Sequence, residues 1–411
     1  MPKIERIELF HVDIPLPGPF YPSWIPGYPQ TENRFTLIRL TTDDGVTGVS
    51  AGAAFERERQ GLGCLLGPYL IGLDPTDLAM IEQRLKEISF LGWHNHWIEP
   101  AFWDIMGKIA GEPVYKLLNP QVETIHTVDV YASSGSILPV EARLPYIDRI
   151  RSMGFGAVKL RVHAFDPAED VAIVEAVRKH AGDDFTIAVD ANQAWRVALV
   201  DDAPLWDLAR ATAFAKACES LGVAWLEEPL DLHAYDELAA LRAVTSTPIA
   251  GCELNQGWHE CKMFFAHGSY DVYQPDATFC GGLATSKKVM ERCMAEGLGF
   301  SPHTWTNGIG FFINLQAFAA FPGRKLLEYP FEPPGWVPEA RDGLLAEPVA
   351  SKNGTVEVPN RPGLGIEIDP GKLKRFGKRF YRMSPTKLAI QTIRKKGLKT
   401  ALELKKKKER K

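Results

Sequence analysis

The chain has 411 residues, 45% of them apolar and 24% charged, the ordinary balance of a folded globular protein. That balance excludes a largely disordered chain, and the length points to two or three domains. The formal net charge of −4 conceals an asymmetry. Residues 372–411 carry 17 Lys/Arg against two acids, Glu403 and Glu409, so the body before them is strongly acidic.

No apolar run reaches the ~20 residues needed to span a bilayer. The N-terminal residues Met1–Glu8 are charged and alternating, without the apolar centre of a signal peptide. Six cysteines, Cys64, Cys218, Cys252, Cys261, Cys280 and Cys293, are scattered without a C-x-x-C pair. They signal neither a zinc site nor a redox motif, and the expectation is reduced thiols in a cytoplasmic protein.

In chain order, residues 1–50 alternate as strands do, and Arg34–Thr42 runs into Asp43-Asp44-Gly45, a hairpin turn. Helical segments follow at about 56–71, 75–90 and 97–110, the last stopping at Gly111. Strands then helices predict an α+β capping domain over 1–125. From 126 the pattern changes to short apolar runs separated by amphipathic helices. The strand candidates are Val128–Ala132, Ala157–Arg161, Thr186–Asp190, Ala224–Glu227, Pro248–Glu253, Asp271–Gln274, Gly299–Pro302 and Lys325–Tyr329. Asp166-Pro167-Ala-Glu-Asp supplies an N-cap, a proline in the first turn and acids against the helix dipole. Eight strands at roughly 25–35-residue spacing are the period of a (β/α)₈-type barrel, here over 126–330. A doubly wound sheet would show a Gly-rich phosphate turn after its first strand, and Ala132-Ser133-Ser134-Gly135-Ser136 is not one. Residues 331–371, rich in Pro and Gly, are expected to return to the first domain. Residues 372–411 form a basic extension.

In such barrels the polar residues at the C-terminal strand ends face the active site. Those ends carry Lys159 and Arg161, Asp190 and Asn192, Glu227, Glu253, Asp276, His303 and Glu328. Lys159 and Arg161 share one strand face. Asp190, Glu227 and Glu253 on three consecutive strands are three hard oxygen ligands, the chemistry of Mg²⁺. Asp276 and His303 on neighbouring strands form a general acid–base pair. A divalent ion between opposed proton-transfer groups suits removal of the weakly acidic α-proton of a carboxylate, because the dianionic enediolate is stabilised where its charge develops.

The motifs Lys159-x-Arg161, Val-Asp190-Ala-Asn-Gln-Ala-Trp, Trp-Leu-Glu227-Glu-Pro-Leu, Ile-Ala-Gly-Cys-Glu253-Leu-Asn, Gln-Pro-Asp276-Ala-Thr, Ser-Pro-His303-Thr-Trp and Glu328 resemble, in that order, the mandelate racemase branch of the enolase superfamily. The resemblance spans roughly residues 3–370. It implies a modified (β/α)₇β barrel under an α+β capping domain, with one Mg²⁺ per subunit at Asp190, Glu227 and Glu253. It implies a His303–Asp276 dyad, catalytic roles for Lys159 and Arg161, and a homo-oligomer. It also implies that Glu328 hydrogen-bonds the substrate carboxylate. Known members racemise 2-hydroxy acids or dehydrate sugar acids. One position departs from the pattern: where the family usually has a second Lys, this chain has Arg161, and a guanidinium is essentially always protonated. A racemase needs a base on each face, so the reading leans to dehydration of a sugar acid to a 2-keto-3-deoxy acid. The alternatives are a racemase or epimerase of a 2-hydroxy acid, and a non-catalytic binding protein on the same fold.

By the same reading, alternation turns Glu228 away from the site, and His163, in the phase of Lys159 and Arg161, reads as a solvated loop residue with the barrel rim as the alternative. Residues 15–30 form a Pro- and aromatic-rich loop, which in the family closes over the substrate. Trp24 from this loop, Trp305 and Asn192 are placed with the substrate contacts, the substrate being a small carboxylate. The loop holds no Lys or Arg, which favours a monoacid over a diacid. The basic extension reads as a solvated, partly disordered tail; with leucines and isoleucines among its cations, it is also compatible with weak contact to an anionic membrane or to another subunit. Nucleic acid is not expected, because the basic charge lies on a tail rather than on a fold face.

Overall fold

The computed structural model describes residues 2–53, 66–91, 94–195 and 200–409. Most of the helix predicted at 56–71 lies outside them. The N-terminal strands form as their alternation dictates: β1 (Ile4–Phe20), β2 (Gln30–Thr42) and β3 (Thr47–Ala53) make an antiparallel meander. The β2–β3 turn holds Gly45 at φ 90°, a left-handed backbone that a side chain would strain. One face of this sheet is apolar. Ile7, Leu9, Ile38 and Leu40 pack with Ile81, Leu85 and Ile88 of helix Leu78–Leu91 and with Phe102 and Ile105 of helix Pro100–Ala110. The second helix starts on a proline and ends at Gly111 in the left-handed region, as its sequence requires.

Eight parallel strands follow: β4 (Thr127–Ser133), β5 (Ala157–Arg161), β6 (Thr186–Asp190), β7 (Leu226–Glu227), β8 (Ile249–Gly251), β9 (Val272–Tyr273), β10 (Gly299–Phe300) and β11 (Leu327–Pro330). Each pairs with the next as far as β10, and β11 returns to pair with β4. One long helix lies between each consecutive pair, from Val140–Ser152 to Gly308–Ala319. This is the modified (β/α)₇β barrel under an antiparallel cap. Side chains rather than a ladder bridge β10 to β11: the Ser301 hydroxyl donates to the Leu326 carbonyl at 2.8 Å and the Thr304 hydroxyl to the Glu328 carbonyl at 2.9 Å. β12 (Thr355–Glu357) pairs antiparallel with the start of β4.

Period-two alternation builds the floor of the site. Tyr131, Ala157, Ala188, Trp225 and Ala250 form a small apolar cluster, with the Tyr131 and Trp225 rings edge-on at 5.1 Å. Three alanines leave room for the two large rings. Two residues further along their strands, on the same face, stand Lys159, Asp190 and Glu227. The charged layer therefore rests on a dry plug.

The cap is tied to the barrel by buried polar groups. The Glu99 carboxylate, at the start of helix Pro100–Ala110, accepts the backbone N–H groups of Leu283 (2.8 Å) and Ala284 (3.0 Å), at the N-terminus of the barrel helix Gly282–Glu296. A carboxylate at a helix N-terminus is favourably placed against the dipole.

The C-terminal extension is not a free tail. Helix Pro370–Phe376 leads into β13 (Gly377–Met383), which joins the cap sheet antiparallel to β1, with Tyr381 opposite Leu9. Its charge has a partner. The buried Glu8 on β1 accepts from Arg379 on β13 at 2.6 Å and from Arg39 on β2 at 2.7 Å, so one acid bonds both flanking strands. Helices Pro385–Lys396 and Leu398–Glu409 follow, with Leu388 against the cap core and Ile390, Ile393, Leu398 and Leu402 exposed. No helix among the described residues is long and apolar enough to cross a membrane.

Burial raises the Glu8 carboxyl, but hydrogen bonds and charge from Arg39 and Arg379 outweigh it and hold the carboxyl below its ordinary range. A depressed folded value stabilises above the unfolded carboxylate pKa and is lost as pH falls through the folded one. Glu8→Gln should therefore lower stability at neutral pH by about 1 kcal/mol, in line with charge-assisted hydrogen bonds to arginines that are partly open to water. Thermal unfolding of both proteins over a descending pH series should show the gap closing in acid.

Candidate active site

Three buried cations and a ring of buried acids meet at the C-terminal ends of the barrel strands. Register places them: Arg161 lies opposite Asp190, Asp190 opposite Glu227, and Glu227 opposite Ala250. The Lys159 ammonium is fully buried, 2.5 Å from Glu227, 2.7 Å from Glu328 and 3.6 Å from Asp190. Burial opposes its charge, but Glu227 and Glu328 together hold the ammonium well above its ordinary value. Arg161 grips Asp190 and donates through Nε to the Ser134 carbonyl at 2.8 Å. It is likewise held cationic, against burial, by Asp190 first and then Glu328.

The acids differ in their partners. Glu227 also accepts from Gln274 at 2.7 Å and from the Trp225 indole at 3.2 Å. Glu328 accepts from Ser133 at 2.8 Å and from the Thr304 N–H at 2.6 Å. Burial would raise Glu328, but Lys159, His303 and Arg161 bring it down to about 2. Every Glu328 oxygen is thus engaged by the protein itself. Glu253 faces His303 at 3.4 Å, and burial, only partly opposed by His303, raises it to about 7.

His303 and Asp276 form the expected pair, Nδ1 to Oδ2 at 2.9 Å. The other Asp276 oxygen accepts from the Thr278 N–H and hydroxyl and from the Asn314 amide, at 2.7–2.9 Å. Four donors fix this carboxylate, so the imidazole's second nitrogen, Nε2, is aimed at Glu253 and the barrel mouth. Burial works against a charge on the ring, yet Glu253, Glu328 and Asp276 raise it to about 9.

Asp190, Glu227 and Glu253 suit a hard divalent ion by donor type, burial and position on adjacent strands. Each is at present turned onto a different cation: Arg161, Lys159 and His303. Their oxygens are correspondingly spread. Among the described residues the one trio of acid, imidazole or thiol groups with ligand atoms all within 4.8 Å is Cys252, Cys261 and Cys280. The residues fit Mg²⁺ provided the three carboxylates swing off these cations, which a doubly charged ion would replace as counter-charge.

The loop after β1 lies over this layer. The Ser23 hydroxyl donates to the Asn192 amide oxygen at 2.6 Å, and the Ser23 N–H donates to the Gly135 carbonyl at 2.8 Å. His163 is no solvated loop residue. It is buried, with Nε2 2.9 Å from the Ser23 carbonyl. Trp24 and Trp305 stack around Phe20 and lie over the Arg161 guanidinium at 5.4 and 5.8 Å. Beside them opens a cleft of about 480 Å³ between cap and barrel, lined by Trp24, Trp305, Trp336, Phe279 and Arg34 among others. Arg34 is already paired with Asp13 and Glu32.

Backbone strain concentrates here. Of the four non-glycine residues with positive φ among the described residues, Asn192, Glu228 and Cys252 sit at the ends of β6, β7 and β8. Such conformations persist where the surroundings enforce them, commonly at functional sites. They also break the alternation that sequence reasoning relied on. Glu228 is buried with Oε2 unpartnered, and burial, then the charge of Glu253, raises its carboxyl. It therefore stands within electrostatic reach of the site rather than behind it. Ser23, its latch to Asn192 and His163, and the turn of Glu228 toward the site escaped the sequence reading, since they depend on contacts between distant segments and on left-handed backbone.

Residues 146–372 match the family model described as enolase C-terminal domain-like, and residues 12–119 match that of the mandelate racemase/muconate lactonizing enzyme N-terminal domain. The chain belongs to the mandelate racemase/muconate lactonizing enzyme family of the enolase superfamily. It is similar to an L-talarate/galactarate dehydratase of Salmonella typhimurium, 29% identical over 383 residues and 89% of each chain. It is similar to a D-galactarolactone cycloisomerase of Agrobacterium fabrum, 28% identical over 83% of this chain and 90% of the relative. In structure it resembles an L-talarate dehydratase of Polaromonas complexed with Mg and L-glucarate, with a TM-score of 0.77 at 26% identity, over 93% of this chain and 99% of that one. Dehydratases, cycloisomerases and racemases all occur among these distant relatives.

For this family member the buried charge pairs make a stability prediction. Lys159→Met leaves Glu227 and Glu328 without their cation and should cost about 3–5 kcal/mol. Denaturant unfolding of the metal-free protein measures it. A loss under 1 kcal/mol would mean that these contacts do not form.

Proposed function

We propose that this enzyme is a Mg²⁺-dependent dehydratase that converts a hydroxylated monocarboxylic sugar acid to a 2-keto-3-deoxy acid. The observation that carries the reading is the inequality of the two walls. Arg161 stands where a second base would be needed, and it is pinned in its charged form between Asp190 and the Ser134 carbonyl. On the opposite wall His303 has a positioned imidazole that gains or loses a proton at Nε2.

Asp190, Glu227 and Glu253 would hold the metal. Bound Mg²⁺ supplies positive charge to the substrate carboxylate as the α-proton leaves. With Glu253 turned onto the metal, His303 loses the first of the charges that hold it protonated, and its neutral Nε2 takes that proton while Asp276 holds Nδ1 and stabilises the imidazolium. The dianionic enediolate is met by the charges of Lys159 and Arg161, which keep Glu328 and the Ser134 carbonyl as partners when Asp190 and Glu227 turn onto the metal. The enediolate expels the 3-hydroxyl, and His303 returns the proton to it, so water departs. The resulting enol tautomerises to the 2-keto-3-deoxy acid. Trp24 and Trp305 close over the site and exclude bulk water. The cleft offers aromatic faces, and its Arg34 is already neutralised by two acids, which supports a monoacid substrate. The relatives' dehydratase names support the same reaction class.

The purified protein, given Mg²⁺ and a library of sugar acids, should release 2-keto acids from at least one monoacid and lose that activity on chelation. Deuterium exchange at the α-carbon without keto acid would mean racemisation instead, and the absence of both would leave a binding protein. His303→Asn should lower kcat by about 10²–10⁴-fold, the usual contribution of a general acid–base group, with steady-state kinetics as the readout. Trp24→Ala should raise KM more than it lowers kcat, because the ring covers the substrate and exchanges no proton. An unchanged KM in that variant would remove Trp24 from the site.

A further inference from the structure

The six cysteines carry no motif in sequence, yet three of them meet in space. Cys252 follows β8, Cys261 lies in the first turn of helix Trp258–His267, and Cys280 precedes helix Gly282–Glu296. The Cys252 and Cys261 sulfurs are 3.4 Å apart and those of Cys261 and Cys280 3.3 Å apart, and all three lie within 4.8 Å of one another. All are buried as free thiols. No other acid, imidazole or thiol among the described residues joins the group.

Two features set this trio apart from ordinary thiol packing. The two close separations are shorter than the ~3.5–4.0 Å of ordinary non-bonded contacts between carbon atoms, which are slightly smaller than sulfur. The backbone also goes out of its way to make them. Cys252 takes φ 88°, so its thiol meets the helix-borne Cys261 while the next side chain, Glu253, faces His303. Tyr270 and Tyr273 lie buried near Cys252, and the Tyr273 hydroxyl is buried there without a partner.

We propose that Cys252, Cys261 and Cys280 form a closed three-sulfur site for a cuprous ion. Thiolates select soft cations. Zinc in structural sites takes four ligands, and this site offers three. Three sulfurs about 2.3 Å from a central ion stand about 4 Å apart, which these reach by opening roughly 0.6–0.7 Å for each close pair. Cys261 is at the positive end of its helix, where a thiolate is favoured. Binding displaces thiol protons to solvent and leaves the copper in its cuprous state, so no oxidant or reductant is required. The site touches the catalytic layer from behind. Cys252 precedes Glu253, and the Cys280 N–H donates to the Asp276 carbonyl at 2.6 Å. An occupant therefore ties together the chain segments that carry Glu253 and Asp276.

The test is anaerobic titration of the full-length, reduced protein with cuprous ion against a chromophoric chelator, bicinchoninate. The proposal expects one ion per chain retained. Cys261→Ser should bind at least about tenfold more weakly, as expected for loss of a metal-site group. Cys218→Ser, altering a buried thiol remote from the trio in helix Leu208–Ser220, should bind as the parent does. If Cys261→Ser does not fold by circular dichroism, Cys280→Ala replaces it. The proposal is overturned if the parent protein yields all its copper to the chelator, or if the folded variant binds equally well. Preferential retention of zinc, or a disulfide within the trio in anaerobically prepared protein, overturns it too. None of these outcomes depends on whether the enzyme is a dehydratase.

Discussion

The active-site layer depends on one buried ammonium. Lys159 lies at the centre of the barrel with no access to water, and it is stable there only because Glu227 and Glu328 approach it from two sides and Asp190 from a third. Charges this deep cannot be left unpaired, so the positions of these acids are set by the lysine as much as the reverse. Arg161 does the same for Asp190, and His303 for Glu253. The result is a lattice of opposite charges, pre-oriented and dry, laid over the Tyr131–Trp225 plug. Lys159 and Arg161 keep Glu328 and the Ser134 carbonyl as partners even with the other acids turned onto a metal, and cations held in this way suit the proposed reaction, whose difficulty is a transient excess of negative charge.

The cap turns this layer into an enclosed site. Glu99 clamps the cap helix to the N-terminus of a barrel helix, and Ser23 fastens the β1–β2 loop to Asn192 and His163. Asn192 lies two residues past Asp190 and its amide oxygen is 3.4 Å from Arg161, so the latch ends on the charge lattice itself. Closure of the loop and arrangement of the cations are parts of one hydrogen-bonded unit. The C-terminal extension reinforces the same cap from its other edge, through Arg379 on Glu8.

Much of this site is legible in the chain because barrel strands impose a simple rule. Lys159, Asp190 and Glu227 follow small or aromatic floor residues by two positions, and period two keeps them on the inner face. His303 and Asp276 are legible for a related reason, since consecutive strand ends are neighbours in a parallel barrel. The rule fails where the backbone is left-handed. At Glu228 and Cys252 the phase shifts, so Glu228 comes within reach of the site it was expected to avoid and Cys252 meets two cysteines far from a motif. It fails also where partners are remote. β13 pairs with β1 across nearly the whole chain, and a run of Lys and Arg looks like a solvated tail until Glu8 is seen opposite it.

By itself, the sequence determined the barrel, the cap, and the set of acids and bases at the strand ends. Those follow from local periodicity and from side-chain chemistry that each segment carries with it. Only the tertiary structure decided which charge neutralises which, how the β1–β2 loop is latched, where residues 372–409 go, and that three scattered thiols meet in one buried cluster. Those are contacts between distant segments, fixed by packing, by burial and by a few strained backbone angles that no local pattern encodes.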